Sequence, residues 1–131
     1  MIGLDTNILV RYVTQDHAAQ SAAAVKIMES LSHESPGFVS LVVIAELVWV
    51  LDFSYRFNKH EIEHVVERLL RSKELVLERA EIVSQALRKF RVSRANFADC
   101  LIERCGNAAE CQYVLTFDKD AAAAGMRLLS T

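Results

Sequence analysis

Proline occurs once and glycine four times in 131 residues, and 52% of the chain is hydrophobic, which together exclude extended disorder. Cysteine is scarce and odd in number. Cys100, Cys105 and Cys111 form no CxxC pair, which argues against both a disulfide framework and a zinc ribbon, and they read as small buried thiols. No apolar run is long enough for a membrane: the longest, Phe38 to Leu51, is 14 residues broken by Ser40 and Glu46, against the roughly 20 that a spanning helix needs. No sign of charge dominates either, with 15 Lys+Arg against 17 Asp+Glu and a net charge of −2, so a polyanionic partner would have to be held locally rather than by the summed field. The N-terminus has no basic stretch followed by an apolar one, which predicts no targeting segment and a cytoplasmic protein. The length suits one domain, residues 1–131, able to bury about two-thirds of its unfolded surface without a disulfide or structural metal.

What is present is an alternation of strands and helices. Residues 1–4 read as a short buried strand, and Asp5-Thr6-Asn7 supplies cap residues for a helix through Val13. Ala24, Ile27, Met28 and Leu31 fall at the helical period, and a break follows at His33-Glu34-Ser35-Pro36-Gly37. Phe38-Val39-Ser40 suits a strand, while Leu41 to Phe53 predicts a helix apolar on every side and therefore buried. Asn58 and Glu61 have capping-box spacing ahead of the stripe Ile62, Val65, Val66, Leu69 and Leu70. Leu75-Val76-Leu77 is a further strand, Ile82 to Phe90 a helix, 96–109 another helix and Tyr113 to Thr116 a strand. Asp118 opens a short helix ending near Gly125. This order predicts an α/β fold, a short and mainly parallel central sheet covered by helices.

Ligands of such sheets bind beyond the C-terminal ends of the strands. Asp5 directly follows the first strand, and Asp118 follows the last with only Phe117 between, although helix capping explains either one alone. Glu46 lies in the apolar helix beside Ile44, Ala45, Leu47 and Val48, so a buried carboxylate there needs a partner such as Arg11, a proton or a cation. Asp99 sits with Glu103 at the edge of an apolar face, where periodicity alone makes it a solvated residue. Should Asp5, Glu46, Asp99 and Asp118 converge, they make an all-oxygen site of the kind that hard cations such as Mg²⁺ or Mn²⁺ prefer, suited to phosphodiester hydrolysis.

At four segments the sequence resembles the PIN-domain ribonucleases, and more narrowly the VapC-type toxins of toxin–antitoxin pairs. They are Ile2-Gly3-Leu4-Asp5-Thr6-Asn7, the run from Ser40 to Leu51, Ala95-Asn96-Phe97-Ala98-Asp99, and Val114-Leu115-Thr116-Phe117-Asp118-Lys119. The resemblance implies a PIN-like three-layer α/β/α fold. It also implies that Asp5, Glu46, Asp99 and Asp118 are the catalytic, metal-binding acids, with Asn7 and Thr116 supporting them through hydrogen bonds. Asp120 is a rival to Asp118, but lies further past the strand end. An RNA substrate, a homodimer and a small VapB-type antitoxin are further implications, and Leu47, Val48, Trp49, Leu51, Phe53 and Tyr55 are either a patch for such a partner or simply core.

Arg88, Lys89, Arg91 and Arg94 put four cations in seven residues ahead of Asp99, as a substrate-binding segment or as a solvated face; Arg11, Arg56 and Lys59 are further candidates. Phe97 either stacks on a base or packs in the core. Two other hydrolases are weaker fits. His60-Glu61-Ile62-Glu63-His64 matches the H-E-x-x-H pattern of zinc proteases but lacks a following G-x-x-H, and a phosphatase opening on Asp-x-Asp would find Asn7 in place of its second acid. A PIN-like module that binds RNA or protein without cutting is the non-enzymatic alternative, disfavoured because all four acids are present. Setting those four acids aside leaves a modestly basic remainder, and bound cations would reverse the local sign.

Overall fold

Each strand of the N-terminal half hands the chain directly to a helix, and this is what positions the acids. In the computed structural model, which describes residues 1–131, the chain falls into two compact units, Met1–Ala80 and Glu81–Thr131. The first runs β1 (Ile2–Gly3), α1 (Thr6–Thr14), α2 (Ala18–Ser30), β2 (Gly37–Val39), α3 (Leu41–Phe53), α4 (Lys59–Arg71) and β3 (Leu75–Leu77). Its three strands pair in parallel in the order β1-β2-β3, with Ile2 opposite Gly37 and Gly37 opposite Leu75. Parallel pairing forces helical crossovers, here α1–α2 and α3–α4. Gly37 sits at the centre of this sheet because space is short: a Cβ there would lie 2.8 Å from Leu4 Cδ1 and 3.0 Å from Leu31 Cδ1.

The capping box of α4 forms as its spacing predicts, the Asn58 side chain accepting from the Glu61 N–H and the Glu61 carboxylate accepting from the Asn58 N–H. Ile62, Val65, Val66 and Leu69 are its buried stripe. Helix α3 departs from expectation. Ile44, Leu47, Val48 and Leu51 are buried, but Val42, Trp49 and Phe53 are 75%, 56% and 70% exposed, and the Trp49 and Phe53 rings stack on each other at 5.0 Å. Hydropathy gives the helix no polar side, yet only one face of it finds neighbours. β1 also differs from the buried strand expected, since it is the edge of its sheet and Ile2 is 48% exposed.

The second unit contains α5 (Ala80–Arg91, all but its first residue), α6 (Phe97–Ala108), β4 (Leu115–Thr116), α7 (Lys119–Ala123) and β5 (Arg127–Leu128), with β4 and β5 paired in parallel. β4 is shorter than the Tyr113–Thr116 strand expected, and β5 follows a stretch with no apolar alternation to announce it. Phe97, only 1% exposed, packs edge-to-face on Phe90 at 5.7 Å, so it is core rather than a base-stacking surface. Of the three cysteines only Cys100 is a buried thiol; Cys105 is half-buried and Cys111 exposed, because the end of α6 and the loop after it lie at the surface. The fold is mixed α/β with short parallel sheets and helices, as the alternation predicts. No helix is long and apolar enough to cross a membrane.

Candidate active site

Asp5 is the N-cap of α1, its Oδ1 accepting from the Thr6 N–H at 2.7 Å. Ser40 caps α3 in the same way, accepting from the Val43 N–H at 3.2 Å, and places Glu46 in the second turn of that helix. Because β1 and β2 are parallel neighbours, the helices that leave their C-terminal ends start side by side. Asp5 and Glu46 therefore line one open cleft of about 460 Å³, together with Thr6, Asn7, Arg11 and Tyr55.

Glu46 is exposed rather than buried, a correction that follows from the one-sided burial of α3. Its partner is not Arg11 but the Thr6 hydroxyl, which donates to Glu46 Oε1. Thr6 is 6% exposed and touches both acids at once, its N–H held by Asp5 and its hydroxyl by Glu46. This is the site residue that sequence reasoning missed. The signal available was the Asp5-Thr6-Asn7 trio itself, in which Asp5 and Asn7 are candidate site residues and Thr6 reads only as a cap residue. Hydrogen-bonded supports of this kind fix the orientation of ligating carboxylates, and their loss typically costs about 10–100-fold in metal affinity or activity. Thr6→Val, which keeps shape and removes the donor, is expected to lower hydrolysis at this cleft by about that range while Thr6→Ser stays near wild type. Initial-rate assays on the three proteins check this, and equal rates for Thr6→Val and wild type would show the bridge to be idle.

In the second unit, Asn96 caps α6 by accepting from the Asp99 N–H at 2.8 Å, which sets Asp99 in the first turn, half-buried. Burial raises the Asp99 carboxyl above the ordinary aspartate pKa; the negative charge of Asp118 and, more weakly, Asp120 adds to the rise, and a hydrogen bond from the Asn96 backbone opposes it. Asp118 is the exposed N-cap of α7, accepting from the Asp120 N–H at 3.2 Å, and its own N–H is held by Thr116 Oγ1 at 3.0 Å. So Thr116 does steady the Asp118 turn, while Asn7 lies exposed on the cleft wall. What the fold supplies is carboxylate pairs, Asp5 with Glu46 in one unit and Asp99 with Asp118 in the other; nowhere do three His, Cys, Asp or Glu side chains gather closely enough to hold an ion.

The basic segment divides. Arg88, Arg91 and Arg94 are exposed, but Lys89 Nζ is 2.7 Å from Glu103 Oε1, inside a cluster completed by Arg104, whose Nε and Nη2 donate to the two Glu103 oxygens at 2.6 and 2.9 Å. Gly125, in the turn before β5, has φ +123°, a conformation that favours glycine, and a Cβ there would lie 2.6 Å from that ammonium. The zinc-protease pattern gains nothing: Glu61 spends its carboxylate on the capping box, and no third ligand joins His60 and His64.

The sequence model of the PIN domain matches residues 2–125. The chain belongs to the PIN domain family. It is also similar to a VapC ribonuclease of Aquifex aeolicus (strain VF5), at 27% identity over 99 residues that cover 75% of this chain and 73% of that protein. The PIN match and this relative together support a nuclease, and so a hydrolase, at the level of the family. Asp5, Glu46, Asp99 and Asp118 all fall inside the PIN match.

Proposed function

We propose that this PIN protein, as a single domain spanning residues 1–131, is a divalent-metal-dependent endoribonuclease and the toxin of a VapBC-type pair, acting in the cytoplasm. The observation that carries the reading is the cleft at the strand ends in which one buried residue, Thr6, donates its backbone N–H to Asp5 and its hydroxyl to Glu46. Asp5, Glu46, Asp99 and Asp118 are the proposed catalytic acids and the ligands of Mg²⁺ or Mn²⁺. In donor chemistry the set suits such an ion: every proposed ligand is a hard carboxylate oxygen, and Asp99, whose pKa is raised first by burial and then by the negative charges of Asp118 and Asp120, is a group whose ionised form a cation would favour. A bound divalent ion would supply an activated water and a counter-charge for the phosphate. The protein's own part is to fix those carboxylates, through Thr6 for Asp5 and Glu46, the Asn96 cap for Asp99 and the Thr116 turn for Asp118.

Arg88, Arg91 and Arg94 are proposed to meet RNA phosphates, with Lys89 contributing through its hold on Glu103. The exposed Val42, Trp49 and Phe53 support a protein partner, proposed to be a small VapB-type antitoxin, and the active species is proposed to be a homodimer.

Titration of Mg²⁺ or Mn²⁺ into the purified protein with single-stranded RNA tests the enzyme. Cleavage that rises with metal and vanishes with EDTA is expected. RNA that is bound but never cut would favour a non-catalytic module, and cutting that EDTA removes, Zn²⁺ alone restores and His60→Ala abolishes would favour the zinc reading.

A further inference from the structure

The cleft that holds Asp5 and Glu46 contains one cation, Arg11, and this cation is held in place by three elements at once. Its Nε donates to Gln20 Oε1 of α2 at 2.8 Å. Its Nη1 lies 3.2 Å from Asp16 Oδ1, in the turn between α1 and α2, and 3.1 Å from the Tyr55 hydroxyl beyond α3. The holding groups are themselves tied together. Tyr55 donates to Asp16 Oδ2 at 2.5 Å and Thr14 donates to Asp16 Oδ1 at 2.8 Å, and these hydrogen bonds, that of Tyr55 first, keep the Asp16 carboxyl below the ordinary aspartate pKa.

We propose that Arg11 is a phosphate-binding residue of this cleft, taking an oxygen of the RNA backbone, and that Asp16 and Tyr55 are positioning residues that aim it. The proposal rests on the nuclease reading for the identity of the polymer, and on geometry for the rest. The bonds of Arg11 use Nε and Nη1, which leaves the Nη2 amine uncommitted on a planar fork whose direction is already fixed. Fixing it beforehand removes the rotamer entropy that a free arginine loses on binding. The Asp16 contact does not use up the charge: it is a single contact between side chains 28% and 38% exposed, and a pair so open to water neutralises little of the guanidinium's field. The placement has a use as well, since a cleft walled by Asp5 and Glu46 repels a phosphate unless a cation stands beside them.

A purely structural staple between α1, α2 and α3 is the competing account, and salt dependence separates the two. Binding of a fluorescein-labelled 12-nucleotide single-stranded RNA to the full chain is followed by anisotropy, in EDTA, over a KCl series. Arg11→Ala is expected to bind about tenfold more weakly at low salt, and its slope of log K against log [KCl] to be shallower by about 0.7, the value of one phosphate contact on a single strand. Arg11→Lys, which keeps the charge and loses the fork, is expected to keep the slope with weakened affinity, and stands in if Arg11→Ala does not fold. Tyr55→Phe is expected to lose about threefold in affinity at unchanged slope. No RNA binding by the wild-type chain, or a slope the same in Arg11→Ala as in wild type, overturns the proposal. Failure of the nuclease reading looks different: RNA binding with the Arg11-dependent slope, and no cleavage on adding Mg²⁺ or Mn²⁺.

Discussion

Replacing Asp5 by Asn is expected to lower Mg²⁺- or Mn²⁺-dependent RNA cleavage by at least about 10²-fold, because removing a ligand costs more than the roughly 10–100-fold seen when only a ligand's support is lost. The fold is expected to survive. Asp5 is the N-cap of α1, and asparagine caps a helix as well as aspartate does, with its Oδ1 still able to accept from the Thr6 N–H. Asp99→Asn makes the same point with a second signature. The folded-state pKa of Asp99 is raised, so the folded chain binds this proton more tightly than the unfolded chain, and stability falls as pH climbs through and above the ordinary aspartate range. At neutral pH the ionised group is therefore a cost, and Asp99→Asn is expected to melt no lower than wild type while losing cleavage to a similar degree. Thermal melts and cleavage rates on the two variants check both halves. Full activity in both would remove the acids from the mechanism, and a collapse of the melting temperature would make the loss of activity uninformative about chemistry and the fold argument wrong.

Glu103→Ala is expected to destabilise the chain by about 2 kcal/mol, the largest stability effect among the charged residues considered. Glu103 is 9% exposed and accepts from Arg104 on both oxygens and from Lys89 on one, so its removal strands two cations, of which Lys89 and Arg104 keep only 23% and 21% of their side-chain surface in water. The figure is set below that of a fully buried pair because of that residual exposure. The Arg104 hydrogen bonds first, and the Lys89 hydrogen bond and charge after them, hold the Glu103 carboxyl below the ordinary glutamate pKa. The sign is the reverse of Asp99: the stabilisation is complete above the ordinary glutamate range and is lost as pH falls through the lowered value. Urea unfolding of wild type and Glu103→Gln across the acid range is expected to show the wild type losing stability on acidification and the variant losing less. Parallel curves would mean that the cluster carries no net stabilisation.

The residues that could be read in advance are those whose signal is local. The capping box of α4 needs only Asn58 and Glu61 three positions apart, and its buried stripe only a period. Asp5 and Asp118 could be placed as helix caps because each stands close behind a short strand, and both are N-caps. Glu46 was placed on the correct helix and given the wrong surroundings. An apolar sequence with no polar side says that α3 has no preferred wet face, not that every face is covered, and Val42, Trp49 and Phe53 show that one is not. The bond from Thr6 to Glu46 joins residues 40 apart in the chain, and no periodicity announces such a contact. Lys89 misled for a related reason. In a run with Arg88, Arg91 and Arg94 it looks like one more surface cation, and only the packing of α5 against α6 delivers it to Glu103.

The family was therefore legible in the sequence, through the α/β alternation and the PIN resemblance that the match over residues 2–125 bears out. Tertiary structure decided the partners. It gave Glu46 a hydroxyl rather than a guanidinium, gave Arg11 to Asp16, Tyr55 and Gln20, and crowded Asp99 with Asp118 and Asp120. The physical reason is range: capping and periodicity act within a turn or two of helix, whereas the partner of a charged side chain is whichever group a parallel strand order and its crossovers carry to it.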